Sequence, residues 1–303
     1  MNTQSSTVNE FDSQRIAPAA MSVTRPMYWS IRRELWEYRS IYIAPLVVAA
    51  VTLFGFLIAT IGRAMSVTDL AKRRAVLEEP YNFASLLIMG TTFVVAVFYC
   101  LDALHGERRD RSILFWKSLP VSDLATVLSK ASIPLLILPL LTFAITVVMQ
   151  LIMLLLSGLV LVGSGVSVTQ LWTHFSFFQM SLMLLYHLVA IHGLWYAPIY
   201  AWLLLVSGWA RRAAFLWAAL PLLAIGIVEK IAFNTSHFGA MLQYRLSGGP
   251  EGAVSNADGM SMDPLTQIHL GQFLISPGLW IGLAIAAAFL AAAVRLRRSQ
   301  GPI

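Results

Sequence analysis

Residue types that could carry out catalysis are present in this chain, but their spacing matches no catalytic arrangement. The sequence has no H-E-x-x-H motif, which places two zinc ligands on one helix face, and no G-x-S-x-G turn for a serine nucleophile. His187 and His192 lie five residues apart, about 500° of helical rotation, so on a helix they point away from each other. We expect both histidines to be buried or cavity-lining, and a membrane-embedded enzyme acting on lipid or peptide stays an alternative.

Nucleotide and metal chemistry also lack the residues they need. The sequence contains no G-x-x-x-x-G-K-[ST] loop, so the chain has no P-loop in which to hold ATP. A single cysteine, Cys100, excludes an intrachain disulfide and any multi-cysteine metal or iron–sulfur site. We therefore predict a protein with no catalytic residues, no metal ligands and no cofactor of its own.

One polar segment, 105–123, combines charged and aromatic residues in a way that suits protein docking. Its first part, 107–111, is a dense cluster of charges. The next part, 112–119, can form a short amphipathic helix, which Pro120 ends because proline disfavours helical geometry in the residue before it. Ser122 can then cap the following helix. A short helix that displays Phe and Trp between charges is a good docking surface, and the alternative is a solvated turn resting on the membrane.

Three further ionisable residues lie near the ends of apolar stretches. Asp102 is at the end of the second stretch, and Glu229 and Lys230 are near the end of the fifth. All three can reach a membrane interface, and no apolar stretch carries a charge at its centre, which argues against a proton relay through buried carboxylates. We expect interfacial positions, with an exit path or gate at Glu229 and Lys230 as the alternative.

The elements that position these residues follow from a strongly apolar composition. Of 303 residues, 58 % are hydrophobic and 12 % are charged, and the mean hydropathy is +0.72. Soluble domains have about 45–50 % apolar and about 25 % charged residues. So few charges cannot cover the surface of a water-soluble fold, and a water-soluble enzyme is excluded.

Six apolar stretches are long enough to cross a bilayer, which takes about 20 residues of α-helix. Backbone polar groups in lipid must be satisfied within the segment, so continuous apolar stretches of this length indicate helices. We predict an all-α integral membrane protein with a six-span transmembrane domain over 41–294. The predicted spans are 41–62, 83–104, 131–156, 178–207, 213–233 and 273–294.

The segments outside the spans have distinct compositions. The polar stretch 1–24 predicts a disordered cytoplasmic lead, and 25–40 predicts an amphipathic helix lying in the headgroup region or, alternatively, a plain extension of the first span. The long connection before the last span is rich in Gly and Ser, with a short helix expected over 238–246. Residues 295–303 form the predicted cytoplasmic tail.

The distribution of positive charge orients the chain. Fifteen of the 21 lysines and arginines lie before the first span, in the second-to-third and fourth-to-fifth connections, or after the last span. The positive-inside rule then predicts a multi-pass protein of the cytoplasmic membrane with both termini in the cytoplasm. The basic isoelectric point of about 9.7 follows from this topology, so we do not expect nucleic acid as a partner.

The polar connection after the second span resembles a known family, the type-2 ATP-binding-cassette (ABC) transporter permeases. The likeness is carried by Glu107-Arg108, Ser112-Ile113 and the run Ser118-Leu119-Pro120-Val121-Ser122. Many members have Gly-Thr where this chain has Arg111-Ser112. The six spans, the helix before the first span and the long connection before the last are also similar to that family.

The resemblance implies a function for the whole chain. In such permeases the corresponding segment is a coupling helix that sits in a cleft of a separate cytosolic ATPase, which binds the ATP and magnesium. It also implies an export complex of two permeases and two ATPases embedded in membrane lipid. A non-transporting membrane anchor or regulator of a cytosolic partner is the alternative. The ATPase contacts implied by the motif are Glu107, Arg108, Ser112, Ile113, Pro120 and Ser122. Physical reasoning adds Arg109, Asp110, Arg111, Phe115, Trp116 and Lys117.

Overall fold

The computed structural model describes residues 24–63, 70–118, 121–163, 177–248, 270–301 and 303. Within these ranges every regular element is helical. Six helical stretches are long and apolar enough to cross a membrane, as the composition predicted. They are Ser40–Ala59, Pro80–Arg109, Asp123–Leu159, Phe177–Trp195, Ala214–Phe233 and Pro277–Ser299.

The helices are numbered here in chain order, and two π-helical segments, Ile133–Ile137 and Leu188–Trp195, interrupt them. The α-helices are α1 Thr24–Glu37, α2 Ser40–Arg63, α3 Leu70–Ala103, α4 His105–Arg109, α5 Ser112–Ser118, α6 Asp123–Ser132, α7 Leu138–Gly163, α8 Phe177–His187, α9 Ala197–Trp209, α10 Ala214–Phe233, α11 His237–Leu246, α12 Leu270–Ile275 and α13 Pro277–Ser299. The short helix expected over 238–246 is thus present as α11. The predicted lead lies outside the described residues except for Thr24, and so does Pro120.

The fourth predicted span, 178–207, is not one continuous helix. Its π-helical segment ends where the amide of Tyr196 donates to the carbonyl oxygen of Ile191, five residues back, at 2.9 Å. Pro198, at the second position of α9, has no amide hydrogen to continue a regular ladder of backbone hydrogen bonds. Tyr196 therefore separates the π-helical segment from α9 within the predicted span.

The bundle is built around α9 and α3. Helix α9 packs along α13 and against α3, while α2 packs on α3 and α7. Buried hydroxyl and amide groups join α3 to α7 within this apolar surrounding. Thr92 and Thr142 are hydrogen-bonded at 2.7 Å, and Gln150 donates to the hydroxyl of Ser85 at 2.9 Å. Such pairs hold membrane helices together because lipid offers the polar groups no other partner.

The two π-helical segments touch each other inside the bundle. Pro134 lies within Ile133–Ile137, and its missing amide hydrogen explains why the regular α-helical ladder widens there. Gly193 lies in the other segment, Leu188–Trp195, and a Cβ added to it would sit 3.0 Å from the carbonyl oxygen of Leu135. The backbones therefore meet at a distance that leaves almost no room for a side chain.

Gly193→Ala is expected to destabilise the protein by about 1–3 kcal/mol, because backbone must shift to admit the methyl group. Gly226→Ala is the matched control, since a Cβ at Gly226 in α10 meets nothing within 4 Å. Thermal unfolding of both variants in the same detergent measures the difference. Equal unfolding temperatures for the two variants would contradict the close packing of the π-helical segments.

Candidate docking site

Helices α4 and α5 leave the bundle directly after α3 and are held to the end of α9. The hydroxyl of Ser207 in α9 accepts from the backbone amides of Leu104 and His105 at 3.0 and 2.8 Å, which satisfies the first amides of α4. Between α4 and α5, Arg111 adopts a left-handed backbone conformation with φ of 59°. This residue reverses the chain and turns α5 away from α4.

Helix α5 buries one residue and exposes its apolar neighbours. Ile113 is buried against the bundle, whereas Leu114 and Phe115 have 58 % and 60 % of their surface exposed. The ring of Trp116 packs edge-on against Phe115 at 5.0 Å between centroids, and the guanidinium of Arg33 lies 3.5 Å from the Trp116 ring centre. The side of α5 away from the bundle is therefore an exposed apolar surface fixed by contacts with α1.

Glu107 in α4 is a buried carboxylate surrounded by cations from three other helices. Its side chain is fully buried, and one carboxylate oxygen lies 3.1 Å from Arg33 Nη2 and 3.2 Å from Lys130 Nζ. The other oxygen accepts a hydrogen bond from Arg297. Glu107 thus joins α4 to α1, α6 and α13 through ionic hydrogen bonds.

Two more carboxylates complete this buried ion cluster. Glu34 accepts from Lys130 at 2.8 Å and from the hydroxyl of Tyr99 at 2.9 Å, and Asp123 accepts from Arg297 at 3.2 Å. Three carboxylates then face three cations, so these six residues are formally neutral, as burial of charge requires, and the more exposed Glu37 pairs with Arg33 at the edge of the cluster. The cluster consists of Arg33, Glu34, Glu107, Asp123, Lys130 and Arg297.

The pKa values around α1 reflect this dense charge. Burial alone would lower the pKa of Arg33, but the carboxylates of Glu34 and Glu107 outweigh it and raise that pKa. Burial and the nearby carboxylate of Asp102 raise the pKa of Tyr38, whose hydroxyl donates to Asp102 at 3.2 Å. Arg33 therefore stays charged and Tyr38 stays protonated across the physiological pH range.

Arg108 and Lys117 bind backbone carbonyls rather than carboxylates. Arg108 donates to the carbonyl of Gly208 at 2.6 Å and to that of Gly301 at 3.3 Å. Lys117 in α5 donates to the carbonyl of Gln300 at 3.0 Å. The residues that follow α13 therefore lie against α4 and α5, and both short helices are attached to the end of the bundle.

The predicted contact residues that the structure describes, all except Pro120, are buried, half-buried or exposed. Glu107, Arg108 and Ile113 are buried and are occupied by partners within the chain, so their contact with an ATPase stays a prediction. Glu107 and Arg108 are buried because α4 packs against α1 and α9, and Ile113 is the residue of α5 that faces the bundle. We assign all three to the support of α5. Ser112 and Trp116 are half-buried. The exposed members are Arg109, Asp110, Arg111, Phe115, Lys117 and Ser122.

Sequence reasoning missed most of the buried ion cluster. Arg33, Lys130 and Arg297 were counted only as topology charges, and Glu34 was placed on the polar face of an amphipathic helix. One feature of the sequence could have indicated the cluster. Acidic and basic residues flank four different apolar stretches at the ends that were all predicted to lie on the cytoplasmic side. Ser122 was predicted correctly as a helix cap, since its hydroxyl accepts from the amide of Ala125 at 3.1 Å.

At the other end of the bundle, Glu229 ties α10 to α11. Its carboxylate accepts from the hydroxyl of Thr235 at 2.8 Å and from the amides of His237 and Phe238 at 2.6 and 2.9 Å. These bonds satisfy the first amides of α11, while Lys230 is exposed. Glu229 therefore has a capping role that the sequence did not indicate, and the exit-path hypothesis stays a prediction.

Glu229→Ala is expected to speed hydrogen exchange at the amides of His237 and Phe238 by about five- to tenfold, because both lose their acceptor. Lys230→Ala, one residue away, is the control and should leave both rates unchanged. Hydrogen exchange followed by mass spectrometry of the peptide covering α11 measures this. Unchanged exchange in the Glu229 variant would show that the carboxylate does not cap α11.

At α4 and α5, α5 is exposed and α4 is bonded to four longer helices. Among the residues that the structure describes, no group of three or more His, Cys, Asp and Glu side chains is arranged to hold a metal ion.

No family model, curated protein or solved structure matches this chain.

Proposed function

We propose that this chain is the membrane-spanning permease subunit of an ABC exporter, moving a substrate with ATP hydrolysed by a separate cytosolic subunit. The observation that carries the proposal is the combination at α4 and α5. Helix α5 displays Leu114 and Phe115 outside the bundle, and α4 behind it is joined by buried ions to α1, α6 and α13. An exposed docking helix on a rigid support suits the transmission of force.

The backbone at Arg111 supports the same proposal. A φ of 59° is a conformation that glycine adopts without steric cost, and other residues adopt it less readily. The family that the sequence resembles has glycine at this position in many members. The chain reversal between α4 and α5 therefore explains in physical terms why that family favours glycine where this chain has Arg111.

The proposed mechanism follows from the connections of α4. Closure of two ATPase subunits on ATP would push α5, and the push would reach α1, α6 and α13 through Glu107 because the buried ion cluster resists separation. In this arrangement ATP and magnesium are bound by the partner. Two copies of the chain would then form the path between them, with α10, most of whose surface is exposed, available for lipid or for the second copy.

In this proposal the chain spans the inner membrane of the cell. The α4–α5 end of the bundle and both termini then lie in the cytoplasm. The positive charges of the second-to-third connection support that orientation. The test of function is ATP hydrolysis by purified protein. The chain alone should show no turnover above a detergent blank, and its complex with the cytosolic ATPase should hydrolyse ATP. Hydrolysis that follows this polypeptide alone through mass-verified purification would overturn the proposal.

A further inference from the structure

Helix α1 and the turn after it carry a stripe of alternating aromatic and cationic residues. Trp29, Arg32 and Trp36 are spaced by three and four residues, which places them along one face of α1, and Arg39 follows in the turn after the helix. All four are exposed, with 58 % of Trp29 and 67 % of Trp36 accessible. We call these four residues the Trp-Arg stripe.

The fold does not use the Trp-Arg stripe. The residues of α1 that pack on the bundle are Ile31 and Leu35, with Tyr38 just beyond, while Arg33 and Glu34 enter the buried ion cluster. On the stripe itself, the guanidinium of Arg32 lies 5.3 Å from the ring centre of Trp29 and 4.8 Å from that of Trp36. Within the described ranges, neither arginine of the stripe has a carboxylate partner.

The stripe lies where the chain enters its first apolar helix. Arg39 immediately precedes α2, whose apolar stretch begins at Ser40. A shallow, open surface groove lies here between Trp36, Arg39 and Tyr42. Trp and Tyr are enriched at the level of lipid headgroups because their rings are amphipathic. The groove therefore combines a free guanidinium with two interfacial aromatic side chains.

We propose that the Trp-Arg stripe binds the headgroup of an anionic phospholipid. Arg39 pairs with the lipid phosphate in the groove, because the planar guanidinium matches two phosphate oxygens. Trp36 and Tyr42 contact the glycerol and upper acyl region. Arg32, stacked on its tryptophans, adds a second cation that favours a lipid with net negative charge over a zwitterionic one. This site is independent of the transport function proposed above.

The test uses the full chain in mild detergent, with native mass spectrometry of bound lipid during titration with phosphatidylglycerol or phosphatidylcholine. The double substitution Arg32→Gln and Arg39→Gln is expected to weaken phosphatidylglycerol binding by about 30-fold, from two cations near an anionic headgroup. Binding of phosphatidylcholine should change by less than about threefold. The control is Arg212→Gln with Arg298→Gln, which removes the same charge from exposed arginines outside the stripe.

Four results would overturn the proposal. Phosphatidylglycerol binding could be unchanged in the stripe variant, or it could fall equally in the control variant. Inorganic phosphate at millimolar concentration could displace the lipid completely, which would identify a simple anion site. Thermal unfolding without added lipid accompanies each titration. Because both substitutions are at exposed side chains, we expect the stripe variant and the unsubstituted protein to unfold at the same temperature. A lowered unfolding temperature in the stripe variant would show that the stripe supports the fold instead of binding lipid.

Discussion

Replacing Glu107 by glutamine is expected to destabilise the protein by about 3–5 kcal/mol, the largest stability effect of any single substitution considered for this chain. The reason is that removal of one partner from a buried ionic group leaves the remaining charges uncompensated. In the variant, Lys130 keeps Glu34 and Arg297 keeps Asp123, but Arg33 is left with only the partly exposed Glu37, so the cluster has one positive charge in excess. Thermal unfolding in detergent and protease sensitivity of the α4–α5 segment measure the loss.

Glu37→Gln is the matched control for this prediction. Glu37 also pairs with Arg33, at 3.1 Å, but its side chain is 45 % exposed, and exposed ion pairs contribute only about 0–1 kcal/mol. Glu107→Asp keeps the charge and should recover part of the stability. If Glu107→Gln and Glu37→Gln unfold at the same temperature, the buried ion cluster does not hold α4 to the bundle.

The largest functional effect is expected at Phe115. Phe115→Ala should weaken binding of the proposed ATPase by roughly 30-fold, because truncating a buried interface aromatic costs about 2 kcal/mol or more. Since 60 % of Phe115 is exposed in the chain alone, its removal should leave the unfolding temperature nearly unchanged. A pull-down of the ATPase from membranes with matched protein levels measures the binding.

Phe215→Ala provides the control, because this phenylalanine of α10 is 62 % exposed and lies outside α5. Trp116→Ala is expected to weaken binding too, but with a lowered unfolding temperature, since the Trp116 ring supports Arg33 at the edge of the buried ion cluster. Full ATPase binding by both the Phe115 and Trp116 variants would show that α5 is only a turn resting on the membrane.

The sequence was sufficient for the elements that depend on local composition. Six apolar stretches became six helices long enough to cross a membrane, and α5 and α11 formed close to their expected positions. These features depend on hydropathy and on residues such as Ser122, whose hydroxyl caps the helix that begins after it. Short-range physics of this kind can be read from a single chain.

The features that the sequence did not reveal depend on contacts between distant segments. Glu107 meets Lys130 and Arg297 across 23 and 190 positions of the chain, and only the packing of α4 beneath α1 determines that it is buried. The close approach of Gly193 to the carbonyl oxygen of Leu135 likewise depends on how Leu188–Trp195 packs on Ile133–Ile137. The distribution of charge along the sequence does not show that the side chains of Glu107, Lys130 and Arg297 are buried, because it gives no information about which helix ends meet.

The most direct test of the central claim is photo-crosslinking from α5 in native membranes. Benzoylphenylalanine replaces Phe115 in one sample and the equally exposed Phe215 in the other, and adducts are identified by mass spectrometry. We expect an adduct between position 115 and a polypeptide that contains a P-loop, lost when the ATPase gene product is depleted and absent from position 215. Adducts at position 115 with lipid alone, or the same protein adduct at both positions, would contradict it.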